Sequence, residues 1–146
     1  MNRPFTITGV RVTHRSASLS TLETAAHDDP EGRLATLVDR DEVAEAFVLD
    51  TCNRAEEYVV TEDAAAGRRA LSDFSQNLPE SAVEITSHED SLRHLLRVAA
   101  GLESQVLGED QILGQFRTAY TVAEDAGAVG PVLEPALLKA IHVGER

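Results

Sequence analysis

The chain has 146 residues, of which 25 are acidic and 13 basic, and its formal net charge at pH 7 is -12. This length allows one domain with a hydrophobic core or two small subdomains. No run approaches the roughly 18 apolar residues that a membrane span needs, and no secretory signal pattern opens the chain, so we expect neither a membrane anchor nor export. A single cysteine excludes an internal disulfide bond and favours a cytoplasmic location.

The charged residues predict the surroundings of the protein. Lys139 is the sole lysine among the 13 basic residues, and the other twelve are arginines. An acidic, lysine-poor chain is typical of a cytoplasm with very high salt, where carboxylates hold water and salt screens their repulsion; an acidic domain working at ordinary salt is the alternative. The net charge also argues against sequence-independent binding to a polyanion. A nucleic-acid substrate would therefore have to contact a local arginine cluster or be recognised by its shape.

The N-terminal part of the chain predicts one strand followed by two short helices. Residues 5–12 alternate as a strand does, and the parity of the apolar residues changes at Gly9, which predicts a bulge or a twist there. Ser18 or Ser20 is expected to cap the first helix, and the second helix is expected over residues 33–39. The first helix should turn three residues inward: Leu19, Leu22 and Ala26.

Residues 47–60, with the sequence FVLDTCNRAEEYVV, predict a β-hairpin. An apolar strand leads into the polar residues 50–54, and the strand-like residues 58–60 lead out. A polar turn between two strands is a common place for functional residues, because the strands hold it rigidly. Cys52, the single cysteine, lies at the tip of this turn.

The order of elements predicts the fold class. A helix over residues 64–78 and a short strand over residues 82–86 complete the series strand, helix, strand, strand, helix, strand. This series is typical of an α+β fold of the ferredoxin-like split β-α-β type, with an antiparallel sheet and helices on one face. From residue 87 onwards the apolar spacing is helical.

These patterns divide the chain into three expected parts. Residues 1–86 would form a ferredoxin-like subdomain that carries the Cys52 turn. Residues 87–130 would form a small helical subdomain that completes the site, and residues 131–146 would start a helix that leads to another domain.

Cys52 is the first candidate for chemistry. A lone intracellular cysteine is more often an inert core residue than a nucleophile, yet the apolar run ends at Leu49 and core packing gives no reason for a thiol in this turn. Arg54 can stabilise a thiolate, and Thr51 and Asn53 can hydrogen-bond a carbonyl or carboxylate group. We therefore interpret Cys52 as a nucleophile.

Two stretches further along the chain are also candidates. His94 lies on the helix face opposite the apolar stripe, where it either meets solvent or, if that face closes over the Cys52 turn, assists proton transfer. Residues 101–115, with the sequence GLESQVLGEDQILGQ, form either a plain connection between helices or the wall of a pocket for a small polar substrate. Four polar residues would line that wall: Ser104, Glu109, Gln111 and Gln115.

Four segments together resemble one protein family. DTCNRAEEYVV resembles the (S/D)-T-C-N-R-x-E-x-Y signature of glutamyl-tRNA reductase, and HLLRVAAGLESQVLGEDQILGQFRTAY resembles the second signature of that family. VTHRSAS is similar to its N-terminal N-H-(K/R)-(T/S)-A segment, and LLKAIHVGER to the start of the long helix that joins its domains. The resemblance spans the whole chain, and its two central motifs are specific.

The resemblance implies a reaction. Cys52 would attack the ester carbonyl that joins glutamate to the 3′ end of its tRNA, and NADPH would reduce the thioester to glutamate-1-semialdehyde, the first step of tetrapyrrole biosynthesis. His94 matches a histidine that assists catalysis in the family, and the Arg54 guanidinium suits the substrate carboxylate. The resemblance implies seven substrate-binding residues: Thr51, Asn53, Arg54, Ser104, Glu109, Gln111 and Gln115. Asp110, which stands where the family commonly has proline, is an eighth candidate for substrate binding. The resemblance implies no metal.

The other domains of the family are expected beyond these residues. No G-x-G-x-x-G is present, so the chain has no dinucleotide-binding fingerprint. We therefore expect the NADPH and dimerisation domains to follow Arg146, and we expect these 146 residues to accept the glutamyl group without reducing it and to dimerise poorly. The full-length protein would be a homodimer, with glutamate-1-semialdehyde aminomutase as its downstream partner.

Two other functions remain open from the residues alone. A non-catalytic ferredoxin-like module could use Arg54, Arg93 and Arg97 to hold RNA or a small acid, and it predicts that replacing Cys52 by serine changes nothing. A cysteine esterase or acyltransferase predicts turnover of the acyl-enzyme rather than its accumulation.

Overall fold

A computed structural model describes residues 5–102 and 111–145, with Gln111 described by its backbone alone. The strands are β1 Thr6–Thr13, β2 Glu45–Thr51, β3 Arg54–Thr61 and β4 Glu84–Ser87. The α-helices are α1 Leu19–Ala25, α2 Pro30–Val38, α3 Ala64–Ala70, α4 His88–Ala99, α5 Gln111–Asp125 and α6 Leu133–Gly144. Short 3-10 helices at Ser72–Ser75 and Glu80–Ala82 lie between α3 and β4.

The strands of the described residues form one antiparallel sheet in the order β2-β3-β1-β4. β1 and β3 are distant in sequence, yet they pair from Thr6 opposite Thr61 to Thr13 opposite Arg54. The α+β class and the ferredoxin-like order of elements predicted from the sequence are confirmed. They could be predicted because alternation and turn residues are local signals.

The pairing register determines which side chains share a face, since residues directly opposite one another in adjacent strands point the same way. We call the two faces the α1 face and the α4 face, after a helix that packs on each. The α1 face includes Thr8, Val10, Val12, Ala55, Glu57 and Val59. The α4 face includes Ile7, Arg11, Arg54, Glu56 and Tyr58.

Helices cover both faces of the sheet. On the α1 face, Leu22 of α1 clusters with Val12 and Ala55. On the α4 face, the ring of Phe116 in α5 lies 5.4 Å from the ring of Phe47. The three helices of the ferredoxin-like part, α1, α2 and α3, all lie on the α1 face, as predicted, and helices from beyond residue 86 cover the other face. The apolar spacing of the later helices shows that they are amphipathic but carries no information about the surface on which they pack.

Of the two features predicted at Gly9, a bulge or a twist, the bulge is absent. β1 pairs with β3 in an unbroken register, with Gly9 opposite Tyr58. Both parities of β1 carry apolar residues because both of its faces are buried. Gly9 instead admits the Tyr58 ring, since an ideal Cβ at this position would lie 2.5 Å from Cε2 and 2.8 Å from Cδ2 of the tyrosine.

Replacing Gly9 by alanine is expected to lower the free energy of unfolding by about 1–3 kcal/mol, because the fully buried Tyr58 ring cannot move aside without displacing its neighbours. Urea unfolding measures the effect. Gly114→Ala in α5 is the matched control, since its Cβ would meet no described atom within 4 Å and alanine favours a helix. Equal destabilisation by both substitutions would contradict the close approach of the Tyr58 ring.

The first helix differs in part from its prediction. Ser18 caps α1, as predicted, by accepting a hydrogen bond from the N–H of Thr21. Leu22 is buried as predicted, but Leu19 is 67% exposed, and Ala26 is exposed while Ala25 is buried in its place. Leu19 lies at the first position of the helix, where its direction departs from the inward stripe.

The second helix begins earlier than predicted. α2 starts at Pro30, because the side chain of Asp29 accepts the N–H of Gly32 and proline suits the first helical turn. Residues 30–32 are therefore helical rather than part of the break between the helices.

A buried carboxylate in the sheet determines where α6 begins. Glu45 of β2 accepts hydrogen bonds from the N–H groups of Gly130 at 2.7 Å, Val132 at 3.0 Å and Leu133 at 2.7 Å. The N–H groups at a helix N-terminus have no partner within the helix, and here the Glu45 carboxylate accepts their hydrogen bonds. Its negative charge also interacts favourably with the helix dipole. α6 is thereby fastened to the sheet.

One hydrophobic core joins the sheet to the later helices. Apolar residues of β1, β2 and β3 cluster with buried residues of α4, α5 and α6. The subdomain boundary at residue 86 stays a prediction. Among the described residues, no helix is long and apolar enough to cross a bilayer.

Candidate active site

The turn that carries Cys52 is a tight connection between β2 and β3. Thr51 pairs with Arg54, so Cys52 and Asn53 alone form the loop. The N–H of Asn53 donates to Oγ1 of Thr51 at 3.1 Å, and the N–H of His14 donates to the Asn53 carbonyl at 2.9 Å. The turn is held from both sides and presents an exposed, free Cys52 thiol. This exposure excludes the alternative of an inert core cysteine.

Glu56 is the centre of a buried cluster on the α4 face behind the turn. Its Oε2 accepts a hydrogen bond from Nη1 of Arg54 at 2.7 Å and lies 3.0 Å from Nε2 of His94. Its Oε1 accepts the hydroxyl of Tyr58 and lies 3.9 Å from Nε of Arg11. Because the Glu56 side chain is fully buried, one carboxylate links two arginines, a tyrosine and a histidine away from water.

The neighbours of Glu56 determine its charge. Burial by itself raises the pKa of the carboxyl group, but the hydrogen bond from His94 and the charges of His94, Arg54 and Arg11 outweigh burial and lower the pKa of Glu56 to about 2. The carboxylate is therefore ionised at neutral pH, and Nε2 of His94 donates to it. Burial and the Glu56 charge raise the pKa of Tyr58, so its phenol stays protonated.

A small pocket of about 110 Å³ opens beside this cluster. It is lined by Arg11, Thr13, Arg15, Arg54, Glu84 and His94. The pocket lining contains three guanidinium groups and an imidazole but only one carboxylate, that of Glu84. The pocket therefore suits a small anion. A carboxylate is the best match, because arginine presents its N–H donors in a fork of the same geometry.

Glu56, Tyr58 and Arg11 are site residues that the sequence analysis missed. A signal was present for the first two, since Arg54, Glu56 and Tyr58 follow one another at every second position and so share one face of the strand. Arg11 had no local signal, because its place beside Glu56 depends on how β1 pairs with β3.

The other predicted binding residues lie apart from this pocket or outside the described residues. Gln115 is exposed on α5 and lines a separate groove of about 520 Å³ that also includes Val48 and Asp50. The structure thus brings Arg54 and His94 together on Glu56 but does not bring Gln115 to them. Outside the described residues lie Ser104, Glu109, Asp110 and the side chain of Gln111, and the binding roles of these residues stay predictions.

Comparison with known proteins identifies the family. The family described as the N-terminal domain of glutamyl-tRNA(Glu) reductase matches residues 10–146. The chain belongs to the glutamyl-tRNA reductase family. Curated glutamyl-tRNA reductases from Haloquadratum walsbyi and Halobacterium salinarum are each 56% identical to it over 140 residues, which is 96% of this chain and 31% and 32% of theirs.

The structural comparison agrees. The solved glutamyl-tRNA reductase from Methanopyrus kandleri superimposes with a TM-score of 0.84 and 29% identity, covering 96% of this chain and 33% of that one. The chain therefore spans about a third of the length of the reductases it matches. The family predicted from the sequence signatures is confirmed. These relatives are named as reductases, which disfavours the binding module and the esterase.

A second, largely buried cluster lies on the α1 face, beneath the Cys52 turn. His27 follows α1 and places its ring between two carboxylates: Nδ1 lies 2.7 Å from Oδ1 of Asp50, and Nε2 lies 2.6 Å from Oε2 of Glu57. Arg33 of α2 donates hydrogen bonds to both oxygens of Glu57, at 2.7 and 2.8 Å, and also forms an ion pair with Asp73. We call His27, Asp50, Glu57 and Arg33 the His27 bridge.

The free energy of unfolding is expected to fall by about 3 kcal/mol as the pH rises through the titration of His27. Burial lowers the pKa of His27, but hydrogen bonds and charges from Asp50 and Glu57 outweigh burial and raise it from 6.5 to about 9. A raised pKa means that the folded state holds the proton more tightly. The stabilisation is therefore fully present below pH 6.5 and is lost as the pH rises through about 9.

Urea unfolding at about pH 6 and about pH 9.5 measures this change. His27→Gln should remove most of the difference between the two pH values, whereas His142→Gln, at a side chain 70% exposed, should leave it unchanged. Equal pH dependence in wild type and His27→Gln would contradict the assignment to His27.

Proposed function

We propose that this domain carries out acyl transfer from glutamyl-tRNA to Cys52. The thiolate attacks the ester carbonyl, the new C–S bond forms, and the ester bond to the tRNA breaks. The ribose oxygen of the tRNA leaves with a proton, and the protein keeps a glutamyl thioester. The observation that supports this most strongly is the exposed Cys52 thiol on a rigid turn beside the cationic pocket of Arg54 and His94.

The pocket residues receive separate roles in this proposal. Arg54 binds the carboxylate of the glutamyl group, and Glu56 holds the guanidinium in place through Nη1 at 2.7 Å. His94 is oriented by its contact with the same carboxylate, and we assign it to proton transfer between the thiol and the departing ribose oxygen. Both residues thus depend on Glu56, which itself touches no substrate.

The reduction that follows needs a hydride, which NADPH supplies in the reaction implied by the sequence signatures. The sequence has no G-x-G-x-x-G turn, and among the described residues the pocket beside Glu56, at about 110 Å³, is too small for a dinucleotide. We therefore assign NADPH binding to residues outside this chain. Formation of glutamate-1-semialdehyde, homodimer assembly and transfer to an aminomutase belong to the longer protein in this proposal.

Intact-mass analysis of the chain after mixing with glutamyl-tRNA tests the proposal. We expect a covalent adduct with the mass of one glutamyl group, and peptide mapping should locate it on Cys52. Blocking the thiol with iodoacetamide beforehand should prevent the adduct, and uncharged tRNA should form none. An adduct on any other residue, or none at all, would refute acyl transfer to Cys52.

We also propose that the acidic surface is adapted to high salt. The formal net charge of -12 repels itself in the folded state, and salt screens this repulsion. The urea concentration at half-unfolding should therefore rise as the concentration of potassium chloride is increased. Sucrose at equal osmolality is the control, because it is uncharged and cannot screen the repulsion. A midpoint that stays constant or falls with potassium chloride would contradict the adaptation.

A further inference from the structure

The His27 bridge lies on the opposite face of the sheet from Glu56, and the acyl transfer described above does not use it. One end of the bridge is Asp50, which comes directly before Thr51 and the Cys52 turn. His27 contacts both oxygens of Asp50: its backbone N–H donates to Oδ2 at 2.8 Å, and its Nδ1 lies 2.7 Å from Oδ1. Two contacts from one residue fix both the position and the rotation of this carboxylate.

The far end of the bridge is equally constrained. Nε2 of His27 meets Glu57, and Arg33 holds both oxygens of Glu57 from the other side. Arg33 in turn donates to both oxygens of Asp73, at 2.8 Å each. The ring of Phe74 lies 6.1 Å from the imidazole ring. The bridge therefore cannot slide along the sheet without breaking several charged hydrogen bonds.

The constraint continues from Asp50 into the turn. Thr51 follows Asp50 in β2, and its Oγ1 accepts the N–H of Asn53. Cys52 lies between these two residues, so the direction of its side chain depends on how the end of β2 is held. Acyl transfer requires the sulfur to approach the carbonyl carbon within about 3–3.5 Å and along the right direction.

Burying ionic groups removes their charges from water, which costs free energy, and well-packed apolar residues in their place often stabilise a fold equally well. What the ionic groups add is a defined orientation. We infer that His27 is a positioning residue for Cys52, which holds Asp50, and through it the turn, in the orientation needed for attack on the ester. This inference rests on the proposed acyl transfer.

The bridge needs a hydrogen on each ring nitrogen of His27, since each faces a carboxylate. Asp50 of β2 and Glu57 of β3 face the ring directly, and Arg33, Arg40 and Asp73 lie behind Glu57. The raised pKa of His27 keeps both hydrogens in place at neutral pH. Loss of one proton would leave a nitrogen lone pair against a carboxylate and release the turn.

A double-mutant cycle on the full chain tests the inference. We would measure the maximal rate of adduct formation at saturating glutamyl-tRNA, the half-saturating concentration, and the rate of Cys52 alkylation by iodoacetamide. His27→Gln and Asp50→Asn should each lower the maximal rate roughly ten- to a hundredfold, with half-saturation and alkylation changed less than about twofold. The double variant should be no slower than the slower single variant, because both changes break one bridge.

Two further measurements test the assignment of the effect to His27. In wild type the maximal rate should fall above about pH 9, and this fall should be absent from His27→Gln. His142→Gln should behave as wild type throughout. Unchanged acylation by His27→Gln, multiplying effects in the double variant, or an equal loss of acylation and alkylation would each overturn the inference.

The same experiment distinguishes the two proposals. Wild type that is alkylated by iodoacetamide yet forms no glutamyl adduct would refute the acyl transfer, and the positioning role would be refuted with it. Wild type that forms the adduct at the same rate as His27→Gln would refute the positioning role alone.

Discussion

Cys52→Ser is expected to abolish the glutamyl adduct while glutamyl-tRNA still binds. A serine hydroxyl is far less ionised than a thiol at neutral pH and is a much weaker nucleophile, so we expect the rate of acyl transfer to fall by on the order of 10⁴ or more. Because Cys52 is exposed, the free energy of unfolding should change by less than about 0.5 kcal/mol.

The test compares intact mass over time with binding measured by fluorescence anisotropy of labelled glutamyl-tRNA. The variant should show unchanged binding within about twofold, since the Arg54 pocket is intact. Alkylation by iodoacetamide should also disappear, because the chain has one cysteine. A serine variant that still forms the adduct at a comparable rate would show that Cys52 is not the nucleophile.

Glu56→Gln is expected to lower the free energy of unfolding by about 3–5 kcal/mol. The Glu56 side chain is fully buried and is the shared partner of Arg54, His94 and Arg11. Glutamine keeps the shape but removes the charge, and its amide group places N–H donors against other donors. The arginines would then remain buried without their counter-charge, which is the costly outcome for a broken buried ion pair.

Glu84→Gln is the matched control for this prediction. Glu84 also faces Arg11, at 3.8 Å, but its side chain is 57% exposed, so its removal should cost less than about 1 kcal/mol. Urea unfolding of both variants at neutral pH gives the comparison. Similar destabilisation by the two substitutions would mean that the burial of Glu56 does not determine how much its charge stabilises the fold.

The hairpin and the order of elements were predictable because their signals are local. An apolar run, a polar turn and a second run of alternating residues predicted the loop at Cys52, and the structure has a tight turn there between β2 and β3. Arg54 was recognised in the same turn. His94 was recognised from its position opposite the apolar stripe, although the stripe could not show that the ring reaches Glu56.

What could not be predicted depends on residues distant in sequence. The absence of a bulge at Gly9 and the place of Arg11 beside Glu56 both follow from the β1–β3 register, which no window of neighbouring residues contains. The contact between His27 and Asp50 joins positions 23 apart, and neither residue has a local pattern that points to the other.

The amino-acid order alone therefore predicted the family, the fold class and the turn that presents Cys52, because short-range periodicity and two specific motifs carry that information. Folding in three dimensions established which charges share a buried site. Coulomb and hydrogen-bond interactions depend on distance through space rather than along the chain, so the ionised Glu56 and the protonated His27 could be recognised only after the strands were paired and the helices packed on both faces.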